Sequence, residues 1–216
     1  MTEKMLSAIT AAYPLTELSC GEFAAQKVSG MKFRIRRFHA PGLGAVSVMV
    51  ATGFFGLMKM DTLIITPTEV DMPLFSYDRV LAMGNDTLIF ELYDTQLAPA
   101  DLTALEEIKT RHGDLPDHDL GAHWYDSIKL PCSLSKKGKK AHRPAFDDCA
   151  LEYLQAFLTA AKAAPACPAE PKREKAAVYV EGLLHHGGPS TDVFKKGIGE
   201  EKTAQLFRRT LFGTEE

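Results

Sequence analysis

DTLIITPTEVDMPLFSYDRVLAMGNDTLIFELYDTQL, residues 61–97, reads as three strands in succession. Leu63–Thr66 is a short run of apolar and β-branched residues. Residues 67–72 form a polar turn, and Pro73 fixes where the chain re-enters the sheet. Leu74–Met83 is a second apolar run, broken by Ser76, Asp78 and Arg79. Gly84-Asn85-Asp86 tolerates positive φ, so Arg79–Met83 and Thr87–Tyr93 are expected to pair as a hairpin. Most of this stretch has the composition of sheet core. Asp78 is the exception.

Upstream, Met31–His39 alternates, with Phe33, Ile35 and Arg37 on one side and Lys32, Arg34 and Arg36 on a wet, basic side. Ala45–Thr52 and Leu57–Thr66 follow, which places five strands in residues 31–97. Their short links require antiparallel neighbours. A further strand is expected over Ser127–Leu134, at an edge or bulge because of Pro131, followed by a basic loop, Ser135–Arg143. Helical spacing is found over Glu3–Tyr13, Glu17–Val28, Pro99–His112, Phe146–Ala164, Glu174–His185, Asp192–Lys196 and Gly199–Phe212. Helices before and after a run of strands predict an α/β fold. It is a three-layer α/β/α sandwich with a central, mainly antiparallel sheet of about six strands and helices on both faces, in one domain over residues 1–216.

The bulk properties narrow the function classes. With 216 residues, 45 % hydrophobic and 25 % charged, the chain has the composition of a soluble globular protein. Its net charge of −3 gives no reason to expect nucleic acid as a partner. No apolar run approaches the roughly 20 residues needed to span a bilayer, and the N-terminus lacks the pattern of a signal peptide, so a cytoplasmic protein is expected. The four cysteines, Cys20, Cys132, Cys149 and Cys167, are scattered and encode neither a metal site nor a cluster locally. A P-loop, a dinucleotide fingerprint, a nucleophile elbow and an H-E-x-x-H site are all absent.

Three blocks in order resemble the ferredoxin-dependent bilin reductases. The first is Asp71-Met-Pro-Leu-Phe-Ser-Tyr-Asp78-Arg-Val, with the hairpin strand ending Phe90-Glu-Leu-Tyr-Asp94-Thr-Gln96. The second is Trp124–Ser135 with the helix from Phe146. The third runs from Val193-Phe-Lys-Lys-Gly-Ile-Gly-Glu-Glu-Lys to Leu211-Phe212-Gly213. The resemblance implies an enzyme without a bound cofactor, which takes single electrons from an external ferredoxin or flavodoxin. Its substrate would be a linear tetrapyrrole held between the sheet and the C-terminal helices. Each electron added raises the basicity of such a pigment, so a nearby acid must protonate it.

The family's central Asp falls on Asp78, the implied proton donor. A carboxyl that only caps a turn or pairs with Arg79 is the alternative. The family's partner His, counted back without gaps, falls on Asp61, so an Asp61–Asp78 pair of acids sharing one proton is a possible replacement; a solvated turn residue is the other reading of Asp61. A Glu of one branch falls near Met49 and a substrate-contacting Lys near Pro189. Substrate contacts are thus implied for Met49, Phe75, Ser76, His185, His186, Pro189 and Val193. The concentrated basic patch, with Lys136, Lys137, Lys139, Lys140 and Arg143, fits an acidic ferredoxin or a merely solubilising loop. Because the full catalytic set is not carried over, a non-catalytic tetrapyrrole carrier on the same fold stands as the alternative function.

Overall fold

The computed structural model describes residues 1–215, and of Pro189 the backbone only. One eight-stranded antiparallel sheet carries the molecule. Its strands are β1 (Thr16–Leu18), β2 (Ala25–Val28), β3 (Met31–Ala40), β4 (Gly44–Gly53), β5 (Met58–Pro67), β6 (Leu74–Ala82), β7 (Asn85–Tyr93) and β8 (Leu134–Lys139). From β3 to β8 it is a simple meander, and β1 and β2 share the outer edge of β3. The five central strands stand as the sequence predicts, two positions apart in side-chain direction and one hairpin link apart in space.

The helices α1 (Thr2–Ala12), α2 (Thr103–Arg111) and α3 (Arg143–Ala163) cover one face. Their apolar stripes meet Leu63, Phe75, Tyr77, Leu88 and Phe90 in a single core. The other face is covered by α4 (Ala169–His186), α5 (Pro189–Ile198) and α6 (Glu200–Gln205), which continues as a π-helical segment, Leu206–Leu211. There Phe33, Ile35, Met49, Ile64, Leu74 and Tyr93 pack against Tyr179, Val180, Phe194, Phe207 and Phe212.

Three expectations are corrected. The sheet has eight strands, where about six were expected. Residues 17–28 are not a helix. Ser29 and Gly30 both take positive φ, 51° and 77°, and turn β2 back onto β3 in a two-residue hairpin, a geometry incompatible with a continuing helix. The eighth strand is the basic segment 134–139, not 127–134, where Asp126–Ile128 make only a 3-10 turn. Lysines on this edge blunt further pairing. One of them, Lys136, is buried, with Nζ donating to the Leu115 carbonyl at 2.9 Å and to Asp117 at 2.7 Å.

The first face buries one set of charges and pairs them. Arg79 meets Asp86 through two hydrogen bonds, from Nε and Nη2, and its guanidinium lies 5.2 Å from the centre of the Phe146 ring. Asp86 is fully buried, and Arg143 adds a contact at 3.4 Å. Removing one partner strands the other charge. Arg79→Met is expected to destabilise the fold by about 3–5 kcal/mol in urea titration at unchanged m, and adding Asp86→Leu to recover most of that loss.

Candidate functional site

The alternation of β6 sends Phe75, Tyr77 and Arg79 to the first face and Leu74, Ser76 and Asp78 to the second. Across the register, Thr62 of β5 stands opposite Asp78, and Glu91 of β7 stands opposite Ser76. These four polar residues form the floor of a cavity of about 150 Å³ between the sheet and α4, α5 and the π-helical segment. Its walls are aromatic, including Tyr93, His123, Trp124, Tyr125, Tyr179, Phe207 and Phe212. Tyr93 stacks on Tyr179 with centroids 4.0 Å apart, and His123 stacks on Tyr125 at 4.8 Å. A Cβ at Gly182 would overlap the Trp124 ring, so that glycine lets the indole lie flat against α4.

Asp78 is half-buried and opens onto this cavity. Its Oδ1 accepts the Thr62 hydroxyl at 2.5 Å. Burial pushes its carboxyl up to about 6. The Thr62 hydrogen bond opposes that rise, and the nearby Glu91 charge adds to it. Glu91 is buried, and its Oε2 accepts the Tyr93 hydroxyl at 2.7 Å. The Tyr93, Tyr125 and Tyr179 phenols are all raised, chiefly by burial, and stay neutral donors. The lining therefore offers two carboxylic groups, hydroxyls, the His123 imidazole and aromatic faces, with no lysine or arginine among the described residues. Among the described residues no group of three or more His, Cys, Asp or Glu is placed to hold a metal ion.

Of the residues singled out in the sequence, Asp78, Ser76 and Met49 line the cavity. Asp61 and Phe75 do not, because both point to the opposite face. Asp61 lies 3.5 Å from the Met1 amino group and 3.6 Å from Lys59, and Phe75 packs on Phe157 at 4.7 Å. The acid pair Asp61–Asp78 is therefore not made. Val193 is part of the packing outside the cavity lining. His185 and His186 are exposed at the end of α4, with the His186 ring 5.1 Å from that of Trp124, behind the wall. The Pro189 side chain falls outside the described residues. In the basic patch, Lys137, Lys139, Lys140 and Arg143 are exposed, whereas Lys136 is buried and paired. Arg36 pairs with Glu17, and Arg37 donates to the Ser19 and Arg209 carbonyls, so neither basic strand residue enters the cavity.

Glu91 and Thr62 are the polar floor residues that the sequence reading missed. The signal for Glu91 is the hairpin register. The turn is the two-residue Met83-Gly84, with φ of 51° and 77°, so Asp78 faces Ile89, and Glu91 shares its face. A turn over 84–86 shifts the pairing by an odd number and sends Glu91 to the other side.

The architecture defines a class: an antiparallel sheet between two helical layers, with a polar-floored cavity under the C-terminal helices. Among solved structures the chain is similar to phytochromobilin synthase from tomato, solved in complex with biliverdin. The TM-score is 0.80 at 13 % identity, over 98 % of this chain and 81 % of that one. No protein-family model and no curated protein matches the sequence. The fold is that of the ferredoxin-dependent bilin reductases.

The Asp78 carboxyl sets a pH dependence of stability. Its folded value lies above its unfolded one, so between about pH 4 and 6 the native state holds a proton that the unfolded chain has released. Stability contributed by that proton is present at low pH and is lost as pH rises through about 6. Asp78→Asn, which keeps an acceptor for Thr62, is expected to abolish this slope. At pH 8 it should be more stable than the parent by about 2–3 kcal/mol in urea titration.

Proposed function

We propose that this protein binds a linear tetrapyrrole in the cavity over Asp78 and reduces it, using single electrons from an acidic ferredoxin or flavodoxin and protons from its own side chains. The observation that carries this reading is a carboxyl raised to about 6, on the floor of an aromatic cavity, within the bilin-reductase fold. Conjugated pyrrole rings suit the walls of Tyr93, Trp124, Tyr125 and Tyr179. Pyrrole N–H groups suit a floor of carboxylates and hydroxyls. With no cation in the lining, propionate groups would be directed outward. The cavity of about 150 Å³ is smaller than the roughly 300–1,000 Å³ typical of occupied small-molecule sites, so the roof must shift to admit a pigment of this size.

In this reading Asp78 protonates the pigment as each electron arrives. A donor with a value near 6 is protonated in about one molecule in ten at pH 7 and recharges readily, which suits repeated proton delivery. Electron transfer needs only docking, and the exposed Lys137, Lys139, Lys140 and Arg143 would steer an acidic donor. One observation favours a second reading, a carrier that does not turn over. The residue against Asp78 is the hydroxyl of Thr62, and the position on which the His of the phycocyanobilin-forming branch falls, Asp61, points to the opposite face, so no imidazole stands in that place.

Three measurements test these readings. Biliverdin titrated into the protein should quench the fluorescence of its one tryptophan, Trp124, to saturation at micromolar concentration. An unchanged emission rejects the site. With reduced ferredoxin, turnover should fall about tenfold per pH unit above pH 6, and Asp78→Asn should bind pigment but lose at least about 100-fold in rate. A bound spectrum that reduced ferredoxin leaves unchanged selects the carrier. Neutralising Lys137, Lys139 and Lys140 together should weaken the dependence of turnover on ferredoxin and on salt while leaving the quenching curve in place.

A further inference from the structure

Two cavities meet at Glu91. One is the aromatic cavity over Asp78. The other, about 210 Å³, lies at the β7–β8 edge beneath residues 118–121, with Glu91, Lys129 and Ser135 in its wall. Glu91 is only 9 % exposed. Its Oε2 is taken by the Tyr93 hydroxyl, while Oε1 has no hydrogen-bond partner among the described residues. That oxygen lies 3.7 Å from the Lys129 ammonium, which is itself bonded to Asp126 at 2.7 Å. A buried carboxylate oxygen left open is a costly arrangement for a residue that only packs. Here it sits on the side where the second cavity begins.

An acid that donates beneath a bound ligand must be recharged. With a ligand seated in the cavity, the ligand and the aromatic roof stand between Asp78 and bulk water on the α4 side. We propose that Glu91 relays protons from solvent, taking them up through the second cavity at Oε1 and passing them to Asp78 or to the ligand above it. A hydronium in the second cavity gives its proton to Oε1 and leaves as water. Glu91 then releases a proton, through water in the first cavity, to the Asp78 carboxylate and becomes a carboxylate again. One proton has moved inward, and Glu91 ends as it began. The groups facing Glu91 are compatible with this. Tyr93, Tyr125 and Tyr179 remain un-ionised, Lys129 attracts the carboxylate form, Asp78 is the acceptor, and His118 and Asp119 line the solvent side.

The relay rests on the reading of Asp78 as the proton donor, but its test needs no pigment. In the ligand-free full chain, the Asp78 carboxyl is followed by time-resolved infrared absorption after a pH jump, with Asp78→Asn identifying its band. Rates are compared at equal distance from each variant's own midpoint, since removing the Glu91 charge lowers that of Asp78. Glu91→Gln should slow equilibration at least tenfold. Ser135→Leu, which fills the second cavity without touching the first, should slow it several-fold. Glu91→Asp should restore most of the rate. Wild-type rates in both Glu91→Gln and Ser135→Leu overturn the relay, and slowing in Glu91→Gln alone overturns entry through the second cavity. A chain that binds no biliverdin yet shows both effects keeps the relay and loses the proposed function. A chain that binds and reduces biliverdin with unchanged proton rates does the reverse.

Discussion

Two aspartates on adjacent strands, Asp86 fully buried and Asp78 half-buried, meet opposite fates, and the difference organises this molecule. Both faces of the sheet are covered by helices, so residues in the middle of the central strands lose most of their water whichever way they point. On the first face Asp86 is met by Arg79 and Arg143, and its charge is neutralised in place. On the second face Asp78 is met only by the Thr62 hydroxyl and by a second acid, Glu91. The first arrangement holds the sheet to α3. The second leaves a carboxyl whose charged form is held unfavourably, which is a reservoir of chemistry.

The roof over Asp78 is fastened unevenly. At the start of α4, fully buried Lys172 donates to the Met72 and Thr95 carbonyls, both at 2.7 Å, beside Asp71, which in turn accepts from the Leu97 and Ala98 amides. The π-helical segment is tied to the sheet by Ser47, which donates to the Leu211 carbonyl at 2.6 Å, and by Arg37. Between these anchors α4 ends at Gly187 with φ of 82°, and the corner into α5 carries residues that line the cavity. Enlargement of the cavity is therefore easiest at that corner and at the Trp124 ring resting on Gly182, since among the described residues moving either breaks no buried ion pair.

The sheet was legible because its five central strands alternate cleanly and are linked by turns with recognisable residues. The flanking helices were legible from their apolar spacing. The edges were not. At β2 a helical-looking apolar spacing competed with a two-residue turn at Ser29-Gly30, and the turn geometry prevailed. At β8 a lysine-rich run looked like a loop, although one lysine is buried by virtue of Asp117 and the Leu115 carbonyl, partners that no local pattern announces. The site was half legible. Asp78, Ser76 and Met49 follow from the resemblance and from strand alternation, but Asp61 was placed by counting without gaps, and a one-residue error moves a strand residue through the sheet. Glu91 was hidden by the same arithmetic, applied to the turn at Met83-Gly84.

The charge of Glu91 near Asp78, in place of an imidazole, changes the kind of ligand and step the cavity favours. A protonated His beside an acid holds a positive charge near it and keeps the acid ionised. A second carboxylate does the reverse. It adds to the rise that burial produces, which leaves the acid protonated in about one molecule in ten at pH 7, and it draws in ligands that bring N–H donors or positive charge. A pigment that becomes more basic as it gains electrons moves toward what such a floor prefers, so its reduced form would be stabilised more than its oxidised form. That differential is what separates a site that promotes reduction from one that only stores the pigment.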